Sequence, residues 1–350
     1  MAKHVALIPG VTGVVGRALA RVLSADPEWS VIGVARRAPD DVPYPVITTD
    51  ITDRAAATER LAACRDVTHI LYCARYAHVA SVKEPVGANE DMMRNVLDAV
   101  EAASPRLQHV HFVQGSKVYG SDLGPYRTPA KETDPRVKDD NWYYAQEDLV
   151  VGRSRARGWS WTCSRPHGVC DPVPGHARSM AMMIGVYAAI SKAEGRPLCF
   201  PGTPEGFHAL YQSVDAELLA RAIAWVTTTP ACANNAFNVT NGDFMRWENL
   251  WPRLAAFFDM EAGPVRPAKL TEAMQDKGPL WDGIVKRHGL RPTPYSEAAV
   301  WSYADFNWLR GHDKMSDTMK LRSSGFTGCM DTEEMYLDHL RLLREARLIP

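Results

Sequence analysis

The sequence predicts an α/β fold, a doubly wound parallel sheet followed by a smaller, mostly helical, substrate-covering region. Three observations predict it. Short apolar runs alternate with helix-patterned segments as far as Val113, the first run ends in a glycine-rich turn, and the alternation fades after Pro166. His4–Ile8 is apolar, Gly10-x-x-Gly13-x-x-Gly16 follows it, and Arg17–Leu23 has the apolar spacing of an amphipathic helix. Val31–Ala35, Val46–Thr48, Thr68–Tyr72 and His109–Val113 read as further strands, with a helix over Asp91–Ala102. Right-handed crossovers between successive parallel strands make this a Rossmann-type sheet, assigned to residues 1–170. Ser121–Asp140, rich in Pro, Asp and Lys, reads as a surface loop beside the site. A helix is expected from about Asn141 to Arg157 and a strand over Ser160–Ser164. In residues 171–350, helical stretches at Met180–Ala193 and Ala216–Thr227 mix with aromatic-rich segments such as Phe244–Phe258, which suits a mainly substrate-binding region. Asn235–Asn241 is the exception, a strand expected to return to the main sheet.

Composition narrows the function class. The chain has 350 residues, 46% hydrophobic and 23% charged, the balance of a globular protein with a sizeable core. Forty basic against forty-one acidic residues give a net charge of −1, so no global field draws it to nucleic acid or membrane. The seven cysteines are scattered without a C-x-x-C pair, which argues against a zinc site or disulfide framework and for a reducing compartment. The glycine loop begins within ten residues of Met1, leaving no space for a secretory leader, and no stretch holds the ~18 apolar residues of a spanning helix. A cytoplasmic location is expected, with a homodimer as the default symmetric assembly.

The glycine triplet lies between strand and helix, where glycine permits a tight turn and close approach to a pyrophosphate, and where the helix start offers free N–H groups. Gly10, Thr12, Gly13, Val14, Val15 and Gly16 are therefore candidate dinucleotide contacts. At the end of the second strand, an acidic residue would hold a ribose 2′-hydroxyl; this chain has Ala35-Arg36-Arg37 instead. Two guanidinium groups suit the 2′-phosphate of NADPH. Asp50 and Ile51, after the third strand, are candidates to line the adenine.

Several segments together resemble the progesterone 5β-reductase/iridoid synthase-like enzymes, a family of extended short-chain dehydrogenases/reductases. They are Gly10–Gly16, Ala35–Arg37, Gln114-Gly115-Ser116-Lys117-Val118-Tyr119-Gly120, Asn141-Trp142-Tyr143-Tyr144-Ala145-Gln146-Glu147-Asp148, Val186–Ile190 and Phe237–Asp243, and the similarity runs to Ile349-Pro350. Ordinary superfamily members carry Tyr-x-x-x-Lys on one helix. Here the positions four after Tyr143 and Tyr144 are Glu147 and Asp148, and the resemblance supplies Lys117 in place of the missing lysine. It implies reduction of the C=C bond of an activated enone or enal by 1,4-hydride addition. A tyrosine hydroxyl would stabilise the enolate, and Lys117 would hold the local potential positive. Spacing leaves open whether Tyr143 or Tyr144 acts. The resemblance also puts the backbone near Val169 against the nicotinamide amide. His167 reads as a histidine packed at a strand end rather than a general base. Where plant members carry a tryptophan after the fourth strand this chain has Arg75, and where they carry a phenylalanine in a Trp-Trp-Phe-Gly-Asp segment it has Tyr303. Both changes add polarity to the expected pocket for a small-molecule enone.

Two other readings use the same fold: a carbonyl or sugar-nucleotide oxidoreductase or epimerase, which would want the ordinary Tyr-x-x-x-Lys, and a non-catalytic NADPH-sensing regulator. Cofactor preference is testable from the sequence alone. With Arg36 and Arg37 on the 2′-phosphate, NADPH should bind at least tenfold tighter than NADH, ~1.4 kcal/mol. Replacing both with alanine should erase most of the difference in a fluorescence titration; equal affinities in the unaltered protein would contradict the assignment.

Overall fold

The computed structural model describes residues 3–76, 84–172 and 179–350. Its centre is a seven-stranded, all-parallel sheet. In chain order the strands are β1 (His4–Pro9), β2 (Trp29–Ala35), β3 (Val46–Thr48), β4 (His69–Tyr72), β5 (His109–Val113) and β6 (Ser160–Pro166). After them come β7 (Gly168–Cys170), β8 (Leu198–Phe200), β9 (Ser213–Asp215), β10 (Asn235–Val239) and β11 (Ala262–Val265). The sheet order is β10-β6-β5-β4-β1-β2-β3. A parallel sheet covered on both faces needs apolar residues pointing both ways, which is why β1 and β4 read as unbroken apolar runs. Ala6, Leu7 and Ile8 are fully buried, as are Ile70 and Leu71.

Helices α1 (Val14–Ser24), α2 (Arg54–Leu61), α3 (Val86–Ala103) and α4 (Trp142–Arg157) belong to the first half of the chain. The second half adds α5 (Met180–Ala193), α6 (Pro204–His208), α7 (Ala216–Thr228), α8 (Trp247–Phe257), α9 (Leu270–Ala273) and α10 (Gly278–His288), then α11 (Tyr295–Ala298), α12 (Trp301–Trp308), α13 (Met319–Ser323) and α14 (Thr332–Glu345). One core joins α1 and α7 to the sheet through Leu19, Leu23, Leu219 and Ile223. A second joins α2, α3 and α4 through Leu61, Val96, Val100 and Val150. The third lies under α5, which is buried from Met180 to Ser191 and packs against Trp247, Trp251, Trp281 and Trp308. A helix apolar all round must be enclosed, and these tryptophans enclose it.

Sheet order reverses between β1 and β4, and at such a switch point the strand ends open a crevice that takes ligands. The glycine loop leaves β1 there and Arg75 follows β4. The segment after Ala233 joins the sheet edge, with β10 pairing β6 in parallel from Asn235 to Val239.

The structure departs from the sequence expectations at several points. α3 begins at Val86 rather than Asp91, and α2 and the small parallel pairs β7–β9 and β8–β11 were not expected. Part of the expected surface loop Ser121–Asp140 is packed instead: Ala130 is fully buried and pairs with Ser316, and the Glu132 carboxylate accepts the Asn238 N–H at 2.7 Å. Glu132 and Lys131 pair with Asn238 and Asp317 of the C-terminal half, while Arg127, Arg136 and Lys138 stay exposed.

At Gly16 an added Cβ would lie 2.2 Å from the Gly10 carbonyl oxygen and 2.8 Å from the Val11 Cα. Both obstacles are backbone. Gly16→Ala should therefore cost ~1–3 kcal/mol of stability, the usual range for overpacking, read as a lower denaturant midpoint at unchanged slope.

Candidate active site

The glycine turn is held by its own backbone. Gly10 donates to the Val34 carbonyl at 3.0 Å and Gly13 to the Gly10 carbonyl at 2.9 Å, and Gly13 is the N-cap of α1. Gly10 has φ +83°, and a Cβ on it would lie 2.7 Å from the Ala74 nitrogen, so the turn fits between β1 and β4 only without side chains. Thr12 is exposed at its tip and Val14 and Val15 open the helix. At the end of β2, Ala35 is buried while Arg36 and Arg37 are exposed. Among the described residues neither arginine has a side-chain hydrogen bond or ion pair. Asp50 is exposed, its carboxyl held below the usual range by the Thr52 N–H and hydroxyl, with burial opposing and Arg36 adding a smaller pull. Ile51 is buried, and its carbonyl accepts Asn95 Nδ2 at 3.0 Å.

Beyond the turn, β5 leads through Gln114 and Gly115 into a 3-10 turn, Ser116–Tyr119, that carries Lys117 and ends at Gly120 (φ +77°). α4 is tied to this turn by two side chains. Asn141 caps α4 by accepting the Tyr143 N–H, and its own Nδ2 donates to the Lys117 carbonyl at 3.0 Å. Tyr144 donates its hydroxyl to the Val118 carbonyl at 2.7 Å and accepts the Val137 N–H at 3.0 Å. The hydroxyl of Tyr144 is thus spent on backbone, although the rings of Tyr143 and Tyr144 both pack against the cluster of Val118, Tyr119 and Ala130. From the sequence both tyrosines are candidates, with the family motif leaning to Tyr143; in the structure they differ in what their hydroxyls bond. Tyr143 is partly buried, and its hydroxyl oxygen lies 3.1 Å from where a Gly115 Cβ would stand. That hydroxyl has no hydrogen-bond partner among the described residues. Burial pushes it well above the ordinary phenol value; Arg75 pulls the other way, and Glu84, Cys163 and Asp122 reinforce the rise.

The charges around it differ from expectation. Lys117 Nζ sits 2.8 and 3.0 Å from the two Glu84 oxygens and 3.9 Å from Asp122, and Arg75 reaches 3.8 Å from Glu84. Lys117 therefore does not make the local potential simply positive, because Glu84 and Asp122 offset it. Arg75 does share this cluster. Glu147, at the position of the superfamily's lysine, accepts from Gln114 Nε2 at 3.0 Å and from the buried Arg165 at 3.2 Å. Asp148 points to solvent and pairs with Arg136 at 2.8 Å. The carboxylates that act on Tyr143 are Glu84 and Asp122, not Glu147.

On the other wall, Val169 lies in β7, just past Gly168, whose Cβ position is 2.9 Å from the Tyr211 hydroxyl and 3.8 Å from that of Tyr303. Tyr303 thus stands beside the strand that carries Val169. His167 is buried with Nε2 2.7 Å from Ser316 Oγ, and burial, aided by Lys314, lowers it to about 3. It packs as a neutral strand-end residue. Sequence reasoning missed Glu84, Gln114, Tyr211, Phe306, Arg310 and Lys314. A cavity of ≈ 560 Å³ lined by Tyr187, Leu270 and Met274 shares none of these residues. No described helix is long and apolar enough to cross a membrane, and the described residues hold no metal-ligand cluster.

A Rossmann sheet with a glycine turn at its switch point, a lysine on the turn after β5 and a tyrosine at the start of the following helix, defines an extended short-chain dehydrogenase/reductase. Solved structures agree on the fold. A short-chain dehydrogenase/reductase superfamily protein from Agrobacterium tumefaciens with bound NAD matches with a TM-score of 0.70 at 16% identity, over 99% of this chain and 98% of that one. RMD from Pseudomonas aeruginosa, complexed with NADPH, matches at 0.68 and 14%, over 98% and 99%. The chain belongs to the PRISE family: the PRISE-like Rossmann-fold domain matches residues 48–350. Among its relatives are an (S)-8-oxocitronellyl enol synthase from Antirrhinum majus, 35% identical over 99% of this chain and 93% of that protein, and a 3-oxo-Delta(4,5)-steroid 5-beta-reductase from Arabidopsis thaliana, 33% identical over 99% and 94%.

The two tyrosines should separate in stability. Tyr144→Phe leaves the Val118 carbonyl and Val137 N–H unpaired and should cost ~1–3 kcal/mol. Tyr143→Phe removes no hydrogen bond within the described protein and should stay within ~0.5 kcal/mol of the parent in urea denaturation.

Proposed function

We propose that this protein is an NADPH-dependent ene-reductase that saturates the C=C bond of activated enones and enals. The observation that carries the reading is the Tyr143 hydroxyl, kept neutral by burial and without a partner among the described residues, on a helix start that Asn141 ties to the turn carrying Lys117. Membership of a family that includes a steroid 5-beta-reductase supports it.

The residues present fit the cofactor. Gly10 and Gly16 have backbone where a Cβ would go, which is the form a diphosphate cradle takes. Thr12, Gly13, Val14 and Val15 would complete that cradle, with the exposed Arg36 and Arg37 on the 2′-phosphate, Asp50 and Ile51 near the adenine, and the Val169 backbone at the nicotinamide amide. When bound, NADPH supplies the hydride for the β-carbon. Tyr143 donates a hydrogen bond to the carbonyl oxygen as it becomes an enolate, where a positioned donor is worth roughly 3–4 kcal/mol, and a proton from water then goes to the α-carbon to give the saturated carbonyl product. Lys117, drawn toward Glu84, steadies that charge from the side and keeps Glu84 from facing the enolate uncompensated. Arg75 and Tyr303 line the substrate. A carbonyl reductase or epimerase would instead need a tyrosine whose pKa is lowered by a neighbouring ammonium, and burial moves Tyr143 the other way.

2-Cyclohexen-1-one should be converted to cyclohexanone, and gas chromatography of the product decides the matter; chiefly allylic alcohol would overturn the reading. Tyr143→Phe should lower kcat by about 10²-fold or more. Because the folded phenol titrates above the ordinary value near 10, its donor form survives as pH rises, so kcat should show no phenol ionisation up to about pH 10.

A further inference from the structure

Phe306 on α12 is ringed by cations. The Arg310 guanidinium carbon is 4.2 Å from its ring centroid, Lys314 Nζ 5.4 Å and Lys117 Nζ 5.9 Å. Lys314 is only 6% exposed, yet its ammonium makes one hydrogen bond, to the Asn307 carbonyl at 3.2 Å, and otherwise lies near the Tyr211 ring at 5.5 Å. An ammonium has three donors, so two have no acceptor among the described residues. Neither Lys314 nor Arg310 has an ion pair there. Burial first, and then Arg310, push Lys314 down to about 7, and burial also lowers Arg310, with the Asp122 carboxylate pulling it weakly the other way. A buried cation without a counter-ion is costly to hold, and a second cation beside it raises that cost. A ligand anion removes both penalties. The cluster also adjoins the reaction end: Lys117 shares the Phe306 ring, and Tyr211, over which Lys314 lies, puts its hydroxyl against Gly168.

We propose that Arg310 and Lys314 form a subsite for a carboxylate carried by the substrate, with Phe306 as its apolar floor, so that the preferred substrate is a small unsaturated keto acid. The inference rests on the ene-reductase reading for the orientation of that acid. Its carbonyl lies toward Tyr143 and Lys117, and its carboxylate lies across the ring, where the Arg310 fork can take both oxygens and Lys314 supplies a point charge. Because one ring touches both ends, a compact acid fits and a long neutral chain gains nothing from the two cations. Fixing the far end of the substrate in this way holds its double bond for hydride addition, a use of remote binding energy.

Binding tests this without turnover. The full chain saturated with NADP⁺ is titrated calorimetrically with 3-oxocyclohexane-1-carboxylate and with its methyl ester. The acid should bind at least about tenfold tighter, and Lys314→Met and Arg310→Gln should each remove most of that preference. Lys314→Met should melt no lower than the parent, since an uncompensated buried charge is lost. Equal affinity for acid and ester in the unaltered protein, or an undiminished preference in both variants, overturns the subsite; the first of these needs no variant to fold. Reduction of 2-cyclohexen-1-one by the same preparation reports separately on the ene-reductase reading. Turnover of the enone without acid preference defeats the subsite alone, and acid preference without enone turnover defeats the reading alone.

Discussion

The site depends on one buried arginine. Arg165, at the end of β6, donates to Gln114 at 2.8 Å and to Glu147 at 3.2 Å, and Gln114 in turn donates to Glu147 and to the Tyr143 carbonyl. Two strand ends and one helix are thereby fixed at a common point. A buried guanidinium is tolerated only where its donors and charge are met, so Gln114 and Glu147 are not free to take other roles. With Glu147 spent in this way, α4 cannot offer the lysine that ordinary superfamily members use, and in the proposed reaction the cation comes from the adjoining turn. Asn141 and Tyr144 hold that turn against the start of α4, which brings Lys117 and Tyr143 to neighbouring places. Tyr144 thus shapes the frame, and the proposed reaction assigns the free hydroxyl of Tyr143, which has no hydrogen-bond partner among the described residues, to the substrate.

A second constraint is the closeness of the two halves of the chain. β10 completes the sheet next to β6, Tyr119 donates to Asn238 at 2.6 Å, and the cluster at Val118, Tyr119 and Ala130 is closed by the Ala130–Ser316 bridge. His167 and Ser316 make a further contact across the same seam. The wall carrying Tyr303, Phe306, Arg310 and Lys314 is thus anchored to the dinucleotide half through several buried polar bonds. Such bonds fix geometry because leaving any one of them unmade costs more than the bond itself contributes.

The parts legible in the sequence were those with local causes. Strand and helix periods, the glycine turn and the capping Asn141 each act over a few residues, and β1 to β6 and α4 follow from them. Resemblance added Lys117 and the tyrosine pair. The rest has distant causes. Glu84 meets Lys117 from 33 positions away, and Arg310 donates to the Ser121 carbonyl from 189. Nothing in Arg310-Gly311-His312-Asp313-Lys314 distinguishes a buried lysine from a solvated loop, since its burial is imposed by Tyr211 and Phe306. The short helices α9, α11 and α13 are held by packing and backbone contacts rather than by their own periodicity. In the loop Ser121–Asp140 the buried Ala130 and the bond of Glu132 to Asn238 are likewise set by partners more than 100 positions away.

The central claim is that the superfamily's lysine position has been given over to the frame, leaving the reaction to a neutral tyrosine. Denaturant unfolding of Glu147→Lys against Glu147→Gln tests it most directly. An ammonium set against buried Arg165 should cost about 3–5 kcal/mol, and the glutamine, which keeps an acceptor, clearly less. A Glu147→Lys protein as stable as the parent would contradict the account, because that position would then be free to carry the ordinary lysine.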